Sequence, residues 1–409
     1  MSKIKKIRGF QDIYGENAKK YRYIVETARK IFEKYNFEEI ILPFVEDISL
    51  FVRSVGEETD IVQKEMYVFT DRGGRQVALR PEGTASTVRA YIEEKMYAEG
   101  GYKKLFYEGA MFRYERPQAG RYRQFHQIGA EIFGISSPLA DAQLIKMVKD
   151  ILDSLNIQTT LEINTLGSFE DRKNYIKALK EYLNKYKENL CETCNVRIET
   201  NPLRVLDCKV ESCKDITKEA PKITDFISEE SLTRFEKIKD YLKALNVPFV
   251  ENPRLVRGLD YYTDTVFEFT TDKLGAQNTV AAGGRYDKLV EQLGGPATPA
   301  LGFAAGIERL MLLVENLPTE KPLISVISIA DEFNIEALKL ADALRKKELK
   351  VENIMKEGSL KSKMKLANKI GSKYVIFVSE KYELKNMETG EQEIFENKED
   401  LIDILKDKF

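Results

Sequence analysis

Residues 109–134 read GAMFRYERPQAGRYRQFHQIGAEIFG, which sets Arg113, Arg116, Arg121 and Arg123 among aromatics and then places Gln127 and Glu131 in apolar company. Guanidinium groups suit paired contacts with phosphate or carboxylate. Strand alternation puts Arg123, Phe125, Gln127, Gly129, Glu131 and Phe133 on one face, and His126, Ile128, Ala130 and Ile132 on the other. Gln127 and Glu131 then look the same way, about 13 Å apart at strand rise. A carboxylate among apolar neighbours needs a cation or a donor. Glu131 is therefore either half of a structural salt bridge or an acceptor facing a ligand. His126 is the single histidine of the chain. It points toward the side where helices pack, which favours a hydrogen-bonded core residue over a catalytic one. The loop ERPQAG carries Arg116 and Gln118, with Arg121 just beyond. It can reach phosphates or base edges, or be an ordinary charged hairpin.

Further along, LRPEGTAS offers Glu82 as a charge in a turn or a fixed anion for an ammonium group, with Thr84 as helix N-cap. In RGLDYYTDT, Arg257 and Tyr262 differ in parity, so one regular strand cannot show both on one face; a turn at Gly258 would reconcile them. GGRYD (283–287) suggests close backbone approach to something flat or phosphorylated. The small residues of LGFAAGIERLML suit a tightly packed helix with Arg309 in its first turns. Neither G-x-x-x-x-G-K-[ST] nor G-x-G-x-x-G occurs. Cys191, Cys194, Cys208 and Cys213 have nearly the spacing of a zinc site. The second pair has an unusual gap and no histidine is at hand, so four reduced, half-buried thiols are the favoured reading and a structural zinc the alternative.

These residues need elements to position them. Residues 18–35 show a helical face of Ile24, Ala28, Ile31 and Phe32. FEEIILPFVE reads as a strand stopped near Pro43. Strands dominate from about residue 64 to 135, with RGGR (72–75) as a turn. Helical patterns follow at 139–155 and 168–190, and the charged, cysteine-bearing run of about 168–250 looks like a mostly helical insertion. Strand character returns at YYTDTVFEFTTD. A boundary falls at ENLPTEKP (315–322). Beyond it, alternating strands and helices predict a small α/β domain over 322–409, with a basic stretch at Lys356, Lys361, Lys363, Lys365, Lys369 and Lys373. The net charge of −2 means that a polyanion must be met by local patches. The first residues lack an apolar signal core and no apolar run is long enough to span a bilayer, so the expected compartment is the cytoplasm.

The segments FRYERPQAGRYRQFHQIGAEIFG, LRPEGT, RGLDYYTDTVFEF, AAGGRYDKL and LGFAAGIERL together closely resemble the histidyl-tRNA synthetase family of class II aminoacyl-tRNA synthetases. The likeness runs from RGFQDIYG to TGEQEIF, nearly the whole chain. It implies an α+β catalytic domain built on an antiparallel sheet (1–320) and a C-terminal α/β anticodon-binding domain (322–409). It implies a homodimer formed through the first helix and the strand ending at Pro43. It also implies a reaction that joins L-histidine to tRNA(His) through histidyl-adenylate, with ATP as substrate and Mg²⁺ as cofactor.

By the same resemblance, Arg113 holds the α-phosphate and the activated carboxylate, Arg309 the γ-phosphate, and Arg257 the charge at the α-phosphorus. Arg121 joins the ATP site. Glu82, Thr84 and Gln127 bind the α-amino group. Glu131 and Tyr262 read the imidazole nitrogens with Tyr261 beside them, and Arg116 and Gln118 approach the tRNA acceptor end. The final strands, around SEKYELKNMETGEQ, look abbreviated. A non-catalytic paralogue, such as the regulatory subunit of ATP phosphoribosyltransferase, would lack the motif arginines and the last domain. An RNA-sensing module would lack amino-acid activation.

Overall fold

The computed structural model describes residues 3–408 apart from 57, 58, 60, 258, 260, 276 and 277. Helix α1 (Gly15–Lys34) forms where the apolar spacing predicts it and buries Ile24, Val25, Ala28, Ile31 and Phe32. Strands β1 (Glu38–Glu39) and β2 (Val45–Asp47), helix α2 (Ile48–Val55), and strands β3 (Tyr67–Thr70) and β4 (Gln76–Leu79) follow. Next come α3 (Thr84–Glu93), β5 (Lys103–Phe112), β6 (Gln124–Phe133), α4 (Pro138–Ser154) and β7 (Thr160–Thr165). The helical stretch holds α5 (Phe169–Asn184), α6 (Glu192–Thr200), α7 (Leu203–Leu206), α8 (Glu211–Lys218) and α9 (Glu229–Ala244). Then come β8 (Val250–Glu251), β9 (Thr263–Thr270), β10 (Thr279–Arg285), α10 (Leu289–Gln292), β11 (Ala300–Gly306) and α11 (Ile307–Leu313).

Among the described residues these strands build an 8-stranded sheet, order β1-β5-β6-β11-β10-β9-β7-β8. Its body is antiparallel, and only the two-residue edge strands β1 and β8 pair in parallel. One face packs on α1, α4, α9 and α11 through a core that includes Phe32, Ile128, Ile145, Ile238, Phe267 and Leu310. The opposite face carries α3 and the insertion helices α5, α6, α7 and α8, where Tyr91 stacks on Phe133 with centroids 4.3 Å apart. A further sheet, order β2-β4-β3, lies beside α2.

FEEIILPFVE does not make one strand. β1 pairs with β5 and β2 with β4, so the chain changes sheets around Pro43. The carbonyls left without ladder partners there are met by the buried Arg80, whose guanidinium donates to Leu42 O at 3.0 Å and Pro43 O at 3.4 Å. The small residues LGFAAG are strand β11, and the helix begins only at Ile307.

The chain divides into two compact units, Met1–Leu317 and Pro318–Phe409. In the second, β12 (Leu323–Ser328), α12 (Asn334–Arg345), β13 (Lys350–Asn353), α13 (Leu360–Lys369), β14 (Tyr374–Val378), β15 (Tyr382–Asn386), β16 (Gln392–Phe395) and α14 (Lys398–Lys408) form a sheet of order β13-β12-β14-β15-β16. The final strands are a paired hairpin, from Tyr382↔Phe395 to Lys385↔Gln392. Lys363 leaves the basic stretch: it is buried and donates to Ser328 O at 2.9 Å.

Candidate active site

Nine of the twelve residues given roles by the resemblance line one cleft of about 1070 Å³: Glu82, Thr84, Arg113, Arg121, Gln127, Arg257, Tyr261, Tyr262 and Arg309. Glu131 sits one layer beneath it, fully buried, while Arg116 and Gln118 lie on the exposed hairpin tip. Register explains the convergence. Gln127 and Glu131 share a face of β6, and Gly306 and Gly302 of β11 stand opposite them.

The β5–β6 hairpin continues past its ladder. Arg113 N donates to Arg123 O at 2.9 Å, and Gln118 and Arg121 exchange backbone bonds of 3.0 and 2.9 Å that close the tip. Arg113 is held by Nε on Pro81 O at 2.9 Å and by the Phe125 ring, 5.4 Å from its guanidinium carbon. Glu115 holds Arg121 at 3.0 Å and stands 3.7 Å from Arg113. Arg123 turns elsewhere, stacking on Tyr114 at 3.6 Å under the Gly9 segment. Arg309, in the first turn of α11, donates to Thr279 O. Burial, with Arg121 and Arg113 close by, lowers its pKa. Three guanidinium groups this close, in a partly dry cleft, favour a polyanion between them.

Arg257 precedes β9 and pairs with Glu268 of that strand at 2.7 Å, and its Nε is buried without a partner. Glu268 also accepts from Thr279 Oγ1 at 2.7 Å. Gly258, the expected turn, lies outside the described residues.

Thr84 is not the N-cap of α3. The Glu82 carboxylate caps that end instead, accepting from Thr84 N at 2.7 Å and Ala85 N at 2.8 Å. A carboxylate at a helix N-terminus satisfies donors and meets the positive end of the dipole. Burial still raises the Glu82 pKa, against those two bonds. Thr84 Oγ1, released from capping, donates to Glu131 Oε1 at 2.7 Å. Tyr107 donates to the same oxygen at 3.2 Å and Tyr286 to Oε2. Burial pushes the Glu131 carboxyl up to about 8, with the three hydroxyls opposing. With its proton committed to Glu131, Thr84 shows the cleft its lone pairs. Gln127 Oε1 is a second acceptor there, buried and without a partner. The floor of the cleft is therefore acceptor-rich and suited to an ammonium group or a ring N–H.

His126 stands outside this chemistry, as its face predicts. Its backbone N donates to Glu308 Oε2 at 2.9 Å, its Nδ1 lies 2.8 Å from Oε1, and Tyr21 meets the ring edge-on. GGRYD approaches neighbouring protein rather than a ligand: a Cβ on Gly283 would lie 2.2 Å from Gly302 O. Its Arg285 is a buried structural cation, bonded to Asp141 at 2.6 Å and Asp287 at 3.0 Å. Sequence reasoning missed Tyr107, Tyr286 and Glu268. Tyr286 sat inside a quoted motif; Tyr107 gave no signal beyond its strand.

The histidyl-tRNA synthetase family model matches residues 9–310, and an anticodon binding domain model matches 323–408. The histidine–tRNA ligase of Aquifex aeolicus (strain VF5) is 58% identical over 396 residues, covering 95% of this chain and 98% of that relative. The histidine–tRNA ligase of Thermodesulfovibrio yellowstonii (strain ATCC 51303 / DSM 11347 / YP87) is 50% identical, covering 94% of each. A crystal structure of apo S. aureus histidyl-tRNA synthetase superposes with a TM-score of 0.82 at 37% identity, covering 99% of this chain and 100% of that one.

Proposed function

Because the chain belongs to the histidyl-tRNA synthetase family and is a histidine–tRNA ligase, we propose the following division of labour in its cleft. In the first step a histidine carboxylate oxygen attacks the α-phosphorus of ATP. The new O–P bond forms as the bond to the β-phosphate bridging oxygen breaks, giving histidyl-adenylate and pyrophosphate. The nucleophile is already ionised at neutral pH, so no general base is required. The enzyme must align the two anions and neutralise charge. Arg113 takes the α-phosphate and carboxylate, Arg121 and Arg309 the distal phosphates, and Arg257 the charge that grows at the α-phosphorus. Mg²⁺ binds through phosphates and one or two carboxylates. Glu115 and Glu268, which line the cleft in contact with Arg121 and Arg257, fit that requirement, and the ion bound with ATP would neutralise phosphate charge.

The observation that carries the amino-acid half is the orphaned Gln127 Oε1 beside Thr84 and Glu82. An ammonium group with three donors satisfies all three acceptors. Glu131 accepts from the imidazole at a deeper level, where the 3.2 Å bond from Tyr107 is the longest of its three and the one to yield. Tyr261 and Tyr262 wall the ring. Side chains without a matching N–H cannot replace the hydrogen bond that Tyr107 gives up, which is costly at a buried carboxyl. In the second step a terminal ribose hydroxyl of tRNA(His) attacks the adenylate carbonyl and AMP leaves, with the hairpin tip at Arg116 and Gln118 meeting the acceptor end. Residues 318–409 hold the anticodon. Two chains associate through the apolar stretch around β1 and β2, where Ile41 is 88% and Phe44 52% exposed. Among the described residues no helix is long and apolar enough to cross a membrane, and we place the reaction in the cytoplasm.

The test is Gln127→Leu, which keeps bulk and removes the acceptor. The KM for histidine in pyrophosphate exchange should rise about tenfold or more, the size of a lost hydrogen bond to a charged group, while that for ATP stays within about twofold. A KM change confined to ATP would move Gln127 to the nucleotide half.

A further inference from the structure

Cys191, Cys194, Cys208 and Cys213 are the chain's only cysteines, and the fold gathers all of them. Cys191 stands at the N-cap position of α6 and Cys194 lies in its first turn; Cys208 follows α7 and Cys213 sits in α8. Their sulfurs all lie within 4.8 Å of one another, with Cys191 and Cys208 at 3.9 Å. Metal–sulfur bonds of about 2.3 Å in a tetrahedron set the sulfurs about 3.8 Å apart. We propose that the four cysteines bind one structural Zn²⁺ ion that staples α6, α7 and α8 into a wall of the active-site cleft.

Three features separate this from a chance meeting of reduced thiols. First, Cys194, Cys208 and Cys213 are buried rather than half-buried, and neutral thiols are weak donors and acceptors that gain little by clustering. Second, Cys191 N donates to Cys213 Sγ at 3.2 Å, the kind of bond that orients a ligand sulfur and offsets its charge. Third, α6, α7 and α8 span 9, 4 and 8 residues, each too short to hold its shape without outside support. Tetrahedral sulfur suits zinc or iron. Four protein ligands leave no open position, which makes the site structural. On binding, each thiol gives its proton to solvent and a Zn–S bond replaces the S–H bond, so the centre carries a net charge of about −2. Arg197 and Arg204 offset it from the same wall, where Cys191 and Cys208 line the cleft that holds Arg113 and Arg257. The metal therefore sets one boundary of the reaction space without taking part in the reaction.

The test uses the full-length protein, purified without added metal and dialysed exhaustively. Elemental analysis should find about one zinc per chain, and titration with a mercurial should release it in step with the loss of about four thiols. Cobalt exchanged into the site should show the visible absorption of a tetrahedral tetrathiolate. Cys213→Ser should cut retained zinc to below about a tenth of a mole per chain and expose residues 191–213 to limited proteolysis. If that variant fails to accumulate, the wild-type stoichiometry and thiol titration decide alone. Four freely reactive thiols, whether metal is absent or bound elsewhere, would overturn the proposal. So would iron in place of zinc, or two disulfides. None of these readouts depends on which amino acid the cleft activates.

Discussion

Glu131 is a fully buried carboxyl group held by Thr84, Tyr107 and Tyr286. Its ordinary value is 4.5, and burial moves it to about 8 in the fold. The folded state therefore keeps a proton that the unfolded chain has lost between these values. The stability it contributes is fully present below the lower value and drains away as pH rises toward the upper one, at up to about 1.4 kcal/mol per pH unit. Glu131→Gln removes that titration. We expect the denaturant midpoint of the wild type to fall from about pH 5 to about pH 8 more steeply than that of the variant. In exchange assays run above about pH 8, where the carboxyl is ionised, the same variant should raise the histidine KM about tenfold with ATP use nearly unchanged, since an anionic acceptor becomes a neutral one. Parallel pH slopes, or a loss confined to ATP, would show that Glu131 has been given the wrong part.

At the scale of elements, Glu131 fits only because β11 gives way. Its partner in register is Gly302, and a Cβ there would lie 1.6 Å from Glu131 Oε2. Tyr107 is admitted in the same manner, since a Cβ on Gly129 would come within 2.4 Å of its ring. Gly302→Ala should destabilise the first unit by about 1–3 kcal/mol, as overpacking does, and weaken histidine use. An unchanged melting temperature together with unchanged histidine kinetics would contradict this packing.

The face of Gln127 and Glu131 and the opposite face of His126 were legible in the sequence, because alternation alone decides them. So was α1, from its apolar spacing. The hydroxyl cage around Glu131 was not legible, because Tyr107 and Tyr286 lie 24 and 155 residues from it in the chain and meet it only through strand order. The capping role was misassigned to Thr84 for a related reason. Serine and threonine are the expected N-caps, yet the buried Glu82 outcompeted Thr84 for the free N–H groups. FEEIILPFVE read as one strand because its apolar run continues across a change of sheet.

At the scale of the molecule, the proposed assignment puts adenylation and anticodon binding in different units. Every cleft residue given a role above precedes Leu317, and the match to an anticodon binding domain covers 323–408. Removing residues 318–409 should leave histidine-dependent pyrophosphate exchange near normal and strongly reduce tRNA charging, provided that sedimentation shows the shortened chain still associates as the full chain does. A truncated protein that charges tRNA as well as the full chain would remove the anticodon role from that unit. The central claim is that this cleft selects histidine through acceptors on its floor and activates it with arginines above. ATP–pyrophosphate exchange by the full-length protein, run with each of the twenty amino acids, tests that claim most directly. Histidine alone should support exchange; robust exchange with another amino acid and none with histidine would contradict it.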